Sequence, residues 1–332
     1  MKFNNLLQYF IIFEGTIILG FIIDLIFGDP EKFPHPVKGI GFLALKFEPF
    51  FRKRFKRERM AGTFFALSII FISFSLTFLI IFGAYFINVF LAGAVAAIFI
   101  CTSIAIKDLK RESLRVENSL KKQDIAAARK NLSMIVGRDT ENLTQEEIMK
   151  ATIETISENL VDGILSPLFF AFIGSAPLAI AYKASSTLDS TVGYKNKKYK
   201  YFGTASAKID DFLNFIPARI SIILIPVAAF LCKKNWRNSF RIALRDRKKN
   251  PSPNSGIAEA AFAGALGIQI GGLNYYNGIP SDKPKIGSPL KKIELKDIID
   301  SLKITYAVSI LFLLLGVIIS SALFFSILCF LN

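Results

Sequence analysis

Residues 62–86 read GTFFALSIIFISFSLTFLIIFGAYF, 25 residues without a charged side chain. An α-helix rises about 1.5 Å per residue, so roughly 20 apolar residues suffice to cross the ~30 Å hydrocarbon core of a bilayer. Residues 87–106 and 304–331 contain no charged side chain either. These three stretches predict membrane-spanning helices.

A fourth apolar stretch, residues 6–28, contains two carboxylates, Glu14 and Asp24. A carboxylate at bilayer depth costs about 2.5–3.5 kcal/mol on insertion scales unless it faces protein or water. The stretch does not resemble a secretory signal, because Lys2 is its only early positive charge and no small-residue cleavage site follows. We therefore expect a fourth, retained span whose two acids need protein or water around them.

The formal net charge is +15, and the basic residues concentrate between the apolar stretches. Residues 29–61 hold nine basic and four acidic side chains, and residues 233–249 hold eight and one. Because Lys and Arg accumulate on the cytoplasmic side of membrane proteins, both segments are expected in the cytoplasm and both chain ends outside. The charge then serves orientation and contact with anionic membrane lipid, and nucleic-acid binding is not expected.

Residues 107–165 are expected to form a helical cytoplasmic insertion. Within it, Thr144 and Glu147 have the spacing of a capping box at a helix amino terminus. An apolar helical stripe follows, formed by Ile148, Ile153, Ile156 and Leu160. The pattern predicts a helix over residues 145–162.

Three further apolar segments are too short or too interrupted to be simple spans, namely residues 166–182, 212–232 and 257–272. Pro217, Arg219 and Pro226 interrupt the second of them. The loop between the first two carries six lysines, which argues against an external position; they are Lys183, Lys195, Lys197, Lys198, Lys200 and Lys208. We expect broken or re-entrant helices, which membranes tolerate where irregular backbone is buried in protein or lines a wet cavity.

The predicted fold class is all-α: a polytopic transmembrane helical protein, one membrane domain over residues 1–332, with a cytoplasmic insertion and re-entrant or broken helices. In the third interrupted segment, Gly264, Gly267 and Gly271 are expected to allow close helix packing.

The predicted helix in the insertion carries carboxylates at every fourth residue, Glu154, Glu158 and Asp162. This spacing places them along one helix face, where like charges repel. The repulsion is relieved if water, an arginine or a divalent cation lies against them. The pattern is compatible with a functional site and equally with an ordinary solvated helix face.

Other polar residues beside the apolar segments are each open to two interpretations. Asp29 is either a loop acid or a ligand for a metal or substrate. His35, the only histidine, cannot alone build a His-based zinc site, so a structural or substrate-contact role is favoured over that of a general base. Arg219 either snorkels to the interface or binds an anion. Asn254 or Ser255 either simply caps the next helix or helps its amino end to hold a phosphate.

A dense run of hydroxyl side chains at residues 182–190, followed by Asp210 and Asp211, exceeds what a spacer between membrane segments needs. The sequence contains no GxxxxGK[ST] loop, no GxGxxG after a strand, no HExxH and no CxxC. Generic motifs therefore indicate only a cytoplasm-facing cavity rich in acids and bases.

The polar motifs also have a recognisable order. They are Gly28-Asp29-Pro30, Pro34-His35-Pro36-Val37, Gly137-Arg138-Asp139-Thr140, ETISENLVDG at 154–163, Thr187-Leu188-Asp189-Ser190, Asp210-Asp211, Pro217-Ala218-Arg219 and Pro251-Ser252-Pro253-Asn254. In this order and spacing they closely resemble the adenosylcobinamide-phosphate synthase family, CobD/CbiB, over roughly residues 15–330. Two positions depart from the family pattern: Ser186 stands where Asn is frequent, and Asn250 where His often precedes Pro-Ser-Pro-Asn.

The resemblance implies a cell-membrane enzyme of cobalamin biosynthesis. Its reaction would be the ATP-dependent joining of adenosylcobyric acid to (R)-1-aminopropan-2-ol or its O-phosphate through an amide bond, giving adenosylcobinamide or its phosphate. The corrinoid is then a substrate rather than a prosthetic group, and ATP and Mg²⁺ are required. Membrane lipid and other corrinoid-pathway enzymes are the further partners to expect.

The resemblance and the needs of amide formation together assign the expected site. Base or substrate contacts are Glu154, Glu158 and Asp162. Substrate or phosphate contacts are His35, Arg138, Asp139, Lys183, Thr187, Arg219, Ser252 and Asn254. Ligands of Mg²⁺ are Asp29, Asp189, Asp210 and Asp211.

Two other functions remain open from the sequence. A noncatalytic membrane sensor is one, because the same superfamily includes proteins of the AmpE signalling type; the acids and the Pro-Ser-Pro-Asn motif favour the enzyme. A transporter built on broken helices is the other, although the large charged insertion fits it less well.

Overall fold

The computed structural model describes residues 2–29, 35–194, 196–276 and 278–331, and the side chains among residues 6–330 of these ranges. Pro30, Lys32, Pro34 and Lys195, which enter the motif and charge arguments above, lie outside the described residues. The helices in chain order are α1 (Lys2–Ile26), α2 (Pro36–Arg54), α3 (Glu58–Ile87), α4 (Val89–Cys101), α5 (Ile106–Lys121), α6 (Ile125–Ser133), α7 (Gln145–Leu160), α8 (Ser166–Val192), α9 (Thr204–Leu213), α10 (Phe215–Leu231), α11 (Trp236–Asp246), α12 (Ser255–Leu266) and α13 (Leu295–Leu331). A π-helical turn (Val161–Leu165) joins α7 to α8, and two strands, β1 (Gln269–Tyr276) and β2 (Ile279–Gly287), form a hairpin.

Five helical stretches among the described residues are long and apolar enough to cross a membrane: Leu6–Ile26, Glu58–Ile87, Val89–Lys121, Gln145–Val192 and Leu295–Phe330. The number rises to six if the bent pair of α9 and α10 counts as one span. Four of the five coincide with the spans predicted at residues 6–28, 62–86, 87–106 and 304–331. The protein is a polytopic helical membrane protein, as predicted.

The sequence did not predict the additional stretch, Gln145–Val192, as one helical element. The sequence predicts a border at residue 165 between a cytoplasmic insertion and a separate apolar segment, whereas helical backbone continues from α7 through the π-turn into α8. The broken helix expected at residues 166–182 is present, because Gly174 and Ser175 leave helical geometry inside α8 and Ser175 has a φ of 55°. Pro177 follows two residues after Ser175 and cannot donate the usual helical hydrogen bond.

The chain divides into two compact units. The first contains Met1–Lys107, Ser166–Leu213 and Leu313–Asn332. Its core joins α2, α3 and α8 around Phe65, Ile69 and Leu188, all fully buried, and Phe202. Gly62 on α3 allows the closest approach, because a Cβ there would lie 1.8 Å from the Phe202 carbonyl oxygen.

Both acids of α1 are held by protein in this unit. Asp24 is fully buried and accepts a hydrogen bond from the Ile106 backbone N–H at 3.0 Å. Glu14 accepts hydrogen bonds from the hydroxyls of Ser320 and Ser321 on α13. These contacts meet the requirement that a carboxylate in an apolar span faces protein rather than lipid.

The second unit contains Asp108–Leu165 and Asn214–Phe312. Its centre is α12, in which every residue from Gly256 to Leu266 is buried, packed against α7, α10 and α11. The predicted capping box of α7 is present: Thr144 and Glu147 exchange both hydrogen bonds. The helix itself ends at Leu160, two residues before the predicted end, where the π-turn begins.

Only the first part of residues 257–272, the segment expected to insert partly into the membrane, is helical, and its insertion stays a prediction. The helix stops at Leu266, Gly267 adopts a left-handed φ of 67°, and β1 begins at Gln269. Of the three glycines expected to pack helices, Gly264 does so, since a Cβ would lie 2.6 Å from the Asn238 carbonyl of α11. Gly271 lies at a register shift of the antiparallel hairpin with a φ of 85°. The overlooked signals were Asn277-Gly278, a favoured hairpin pair, and the helix stop at Gly267.

Candidate functional site

A buried ion pair connects two of the predicted motifs in the second unit. Arg138 donates one guanidinium N–H to Glu154 and another, at 2.6 Å, to the Asn274 side-chain oxygen of β1. The other Glu154 oxygen accepts the Gly271 backbone N–H at 2.7 Å. Burial lowers the pKa of Arg138, but the charge of Glu154 and its hydrogen bond outweigh burial and raise it. Both oxygens of Glu154 therefore hold protein groups, and the pair fastens the hairpin to α7.

The neighbouring Asp139 strengthens the same attachment. Its backbone N–H donates to the Tyr275 carbonyl at 2.8 Å, and its carboxylate accepts the Gly278 N–H at 2.7 Å. Arg138 and Asp139, predicted as substrate or phosphate contacts, thus organise the turn end of the hairpin. The sequence could not show this, because the partners lie more than 130 residues away.

The three carboxylates predicted on one helix face have different surroundings. Glu154 is buried on α7, Glu158 is exposed one turn later, and Asp162 is half-buried inside the π-turn. Glu154 does not lie on an ordinary solvated helix face. Arg138 compensates its charge, and an arginine was one of the three partners expected for this cluster, beside water and a divalent cation. Glu158 is the exposed acid of the three.

Glu259 is a carboxylate of this cluster that the sequence argument did not select. It is 4% exposed on α12, and its Oε2 accepts a hydrogen bond from the Asn250 side chain at 2.9 Å. Burial, with the negative charges of Glu158 and Glu154, raises the pKa of Glu259 to about 7 against the opposing effects of Lys283 and Asn250. The available sequence signal was an acid in an otherwise uncharged helix, similar to the signal that drew attention to Glu14 and Asp24 in α1.

Lys283 on β2 supplies positive charge to this cluster. Its own burial lowers its pKa, but Tyr276 and the carboxylates Glu154, Glu259 and Glu158 together raise it, so the ammonium stays charged. Three carboxylates and two cations therefore influence one another in this part of the second unit.

The Pro-Ala-Arg and Pro-Ser-Pro-Asn motifs also meet. Arg219 on α10 donates to the Asn254 side-chain oxygen at 2.6 Å and to the Pro253 carbonyl at 3.3 Å. Its guanidinium lies 3.5 Å from the centre of the Phe215 ring. A cavity of about 440 Å³ lies beside these residues, at the amino end of α12. It is distinct from a lysine-rich cavity of about 480 Å³ elsewhere. The lining of the cavity at α12 is Arg219, Arg247, Lys248, Asn250, Pro251, Ser252, Pro253 and Ile257.

The structure differs from the expectation that the Asn254 or Ser255 side chain caps α12. Asn254 occupies the cap position of α12 but makes no side-chain capping bond, because its oxygen receives Arg219. The Ser252 hydroxyl instead accepts the backbone N–H groups of Asn254 and Ser255 at 3.3 and 3.4 Å. Three cations beside a helix amino end make this cavity suited to an anion, in particular a phosphate.

The remaining predicted site residues belong to the first unit. His35 Nδ1 accepts the Val37 N–H at 3.2 Å and caps α2, and its Nε2 lies 2.8 Å from an Asp29 oxygen. These contacts hold His35 in the fold, and its contact with substrate stays a prediction. The metal role of Asp29 stays a prediction.

On α8, the Thr187 hydroxyl donates to the Lys183 carbonyl at 2.7 Å within the helix. The Asp189 carboxylate lies against the backbone at Gly193, where a Cβ would come within 2.0 Å of its oxygen. Asp210, 8% exposed, and Asp211 follow on α9, which packs against α8. Among the residues that the structure describes, no three His, Cys, Asp or Glu side chains form a group that could hold a metal ion. The Mg²⁺ assignment stays a prediction.

Known proteins resemble the chain over nearly its full length. The family model described as "CobD/Cbib protein" matches residues 17–305. A Clostridium perfringens protein is 50% identical over 304 residues, covering 91% of this chain and 96% of that relative. A Leptospira interrogans protein and a Geobacter metallireducens protein are each 43% identical, over 92% and 93% of this chain and 97% and 98% of those relatives. All three are named cobalamin biosynthesis protein CobD. No solved structure matches the chain. Given this match to the family model and these identities, the chain belongs to the CobD/CbiB family.

Proposed function

We propose that this protein acts in cobalamin biosynthesis as an ATP-dependent ligase that joins adenosylcobyric acid to (R)-1-aminopropan-2-ol or its O-phosphate. The observation that carries the proposal is the contact between Asn250 and Glu259 at 2.9 Å. Through it, a buried carboxylate adjoins a cavity lined by Arg219, Arg247 and Lys248. One small region thus combines a base with an anion-binding surface.

Amide formation requires a base because the aminopropanol nitrogen is protonated in water and must lose that proton to attack a carbonyl carbon. A general base works best when its pKa lies near the working pH. A pKa of about 7 gives Glu259 this property. The ammonium first gives a proton to a Glu259 oxygen, and Asn250 keeps that carboxylate oriented. The free amine would then attack the activated carbonyl carbon, so that the C–N bond forms, the C–O bond to the activating phosphate breaks and phosphate leaves. Glu158, the exposed acid, would contact the substrate.

The cations of the cavity would hold the anionic groups. Guanidinium groups bind phosphate or carboxylate through two parallel hydrogen bonds, and lysine contributes a compact charge. Arg219 is already oriented by Asn254, so little side-chain entropy is lost when it binds an anion. Ser252 and the amino end of α12 add hydrogen-bond donors and the favourable helix dipole.

ATP would supply the driving force by activating the propionate carboxylate of the corrinoid, and Mg²⁺ would neutralise phosphate charge. Proteins usually hold Mg²⁺ through one or two carboxylates, with phosphates and water as the other ligands. The carboxylates proposed for it are Asp29, Asp189, Asp210 and Asp211. Lys183 and Thr187 remain the proposed substrate contacts of the same unit.

The purified protein in detergent provides the test. We expect ATP consumption that depends on both adenosylcobyric acid and aminopropanol phosphate, with an amide product identified by mass spectrometry. Glu158→Ala and Asp189→Ala should each abolish synthesis while membrane insertion is unchanged. Arg247→Ala should raise the KM of the anionic substrate about 10-fold, as expected for one charged hydrogen bond. The matched control is Lys130→Ala, an exposed cation outside the cavity.

Wild-type turnover in both carboxylate variants would remove those residues from the site. No ATP consumption and no product from the folded wild-type protein would reject the ligase and favour a membrane sensor or a transporter.

A further inference from the structure

Helix α11 (Trp236–Asp246) is held to the second unit by one face only. The Asn238 side chain donates to the Gly264 carbonyl at 2.7 Å, and the Ser239 hydroxyl donates to the Ala261 carbonyl at 2.8 Å. The buried residues of α11 are Asn238, Ser239, Ile242, Ala243 and Asp246. Apart from Ile242, this contacting face is polar and small, and the other large apolar side chains of the helix are exposed.

Those apolar side chains form an exposed row. Trp236, Phe240 and Leu244 are 42%, 42% and 45% exposed. Their spacing of four residues places them one above another along the helix, over about 12 Å. Such a row at solvent-exposed positions marks a surface that another apolar phase covers.

The row continues the apolar surface of α10 (Phe215–Leu231), part of a candidate membrane span. Ile223 and Phe230 of α10 are 63% and 62% exposed. The Phe230 ring packs edge-on against the Trp236 ring, with centroids 6.3 Å apart. The lipid-facing side of a span therefore runs directly into the exposed row of α11.

Cations flank the row. Lys233 lies three residues before the helix, and Arg237 and Arg241 lie on it, with the Arg237 guanidinium 5.3 Å from the centre of the Trp236 ring. Within the described part of the chain, no carboxylate forms an ion pair with Lys233, Arg237 or Arg241. A tryptophan beside arginines at the end of a span is typical of the headgroup level of a membrane, where the ring is half in hydrocarbon.

We propose that α11 lies flat in the membrane interface and binds anionic lipid. Trp236, Phe240 and Leu244 enter the boundary between headgroups and acyl chains, while Lys233, Arg237 and Arg241 contact lipid phosphates. A helix with an apolar row, basic flanks and attachment to a span has the features of an interfacial helix. Because α11 packs on α12, which carries Glu259, lipid contact with α11 would also help to hold α12 and its Glu259 in place.

The chain offers a direct probe, because Trp236 is its only tryptophan. The full-length protein is reconstituted into liposomes, and Trp236 fluorescence is quenched by phosphatidylcholine brominated at acyl positions 6,7 or 11,12, or by acrylamide in the aqueous phase. We expect stronger quenching by the 6,7 lipid than by the 11,12 lipid, and weak quenching by acrylamide. Strong acrylamide quenching without bromolipid quenching would overturn the proposal. Protection from every quencher would overturn it as well, because protein rather than lipid would then cover the row.

Headgroup selectivity is measured with 20 mol% brominated phosphatidylglycerol against the same fraction of brominated phosphatidylcholine. We expect the anionic lipid to quench at least 2-fold more strongly. The double variant Arg237→Ala/Arg241→Ala should equalise the two lipids, and the double variant Lys121→Ala/Lys130→Ala, which removes two exposed cations elsewhere, should not. Equal quenching by both lipids in the wild-type protein would refute anionic recognition, and this result does not depend on any variant folding.

Discussion

At Glu259, burial and neighbouring charge act in the same direction. Both disfavour the ionised carboxylate, so the folded protein binds a proton more tightly than the unfolded chain does. The pKa rises from 4.5 to about 7. Between these values the native state holds a proton that the unfolded state has released, so stability contributed by this group is present below pH 4.5 and is lost as the pH rises to about 7.

Replacing Glu259 by Gln should remove this pH dependence. The shift corresponds to about 3 kcal/mol, so the wild-type protein loses stability between about pH 4.5 and 7 that the variant retains. Because Gln keeps the hydrogen bond from Asn250 but cannot accept a proton, the rate of amide synthesis should fall about 10²- to 10⁴-fold. Thermal unfolding and initial rates across this pH range measure both effects.

The control for this change is Glu146→Gln, which removes an exposed acid on α7 paired with Lys150. It should leave both profiles unchanged. A Glu259→Gln enzyme with a wild-type pH–rate profile would show that another group accepts the proton.

The sequence indicated part of this cluster and not the rest. Carboxylates spaced by four residues required a compensating charge, and Arg138, named beside them, supplies it at Glu154. The sequence could not identify Glu259 or Lys283 as members, because their placement depends on α12 and the hairpin packing against α7. Each of those contacts joins residues over 100 positions apart, where local pattern carries no information.

At the scale of elements, the helices were predictable, whereas the hairpin had a local signal only at its turn, Asn277-Gly278. Long uncharged runs and a capping box follow from local composition, and α3, α13 and the start of α7 occur where these signals are. The hairpin of β1 and β2 is stabilised from outside, by Glu154 at Gly271 and Asp139 at Gly278. A two-stranded hairpin is marginal alone, so its existence depends on contacts that the local sequence does not reveal.

The contact between α11 and α12 depends on Gly264. A Cβ at this position would lie 2.6 Å from the Asn238 carbonyl oxygen and 2.9 Å from the Ser239 Cα, both backbone atoms of α11. Gly264→Ala must therefore push the two helices apart, which we expect to cost about 1–3 kcal/mol. The melting temperature in detergent should fall by several degrees.

Gly83→Ala is the matched control, because Gly83 also lies inside a helix but has no atom within 4 Å of its added Cβ. Alanine is the better helix former, so this variant should be unchanged or more stable by up to about 1 kcal/mol. Equal loss of stability in both variants would mean that the α11–α12 contact is not the cause.

At the scale of the whole molecule, the number of full crossings decides which surfaces meet the cytoplasm. Four full spans return the chain to the side on which it began, whereas five candidate spans would place its ends on opposite sides. The stretch in question is Gln145–Val192. Its first half carries the exposed acids Glu146, Glu147 and Glu158, and α8 is broken at Gly174. Full insertion of this half would move exposed charges into hydrocarbon at a cost of several kcal/mol.

We therefore predict that Gln145–Val192 does not cross completely, that residues 29–61 are cytoplasmic and that both chain ends are outside. In a variant with Cys101, Cys232 and Cys329 replaced by serine, single cysteines are introduced by Lys56→Cys, by Lys122→Cys, or by one residue added after the C-terminus. A membrane-impermeant maleimide should label the first two only in inside-out vesicles and the third only in right-side-out vesicles. Labelling of the C-terminal cysteine from the cytoplasmic side would establish an odd number of crossings. Glu158 and the acid cluster would then require a water-filled path within the bilayer, because their charges could not otherwise be solvated.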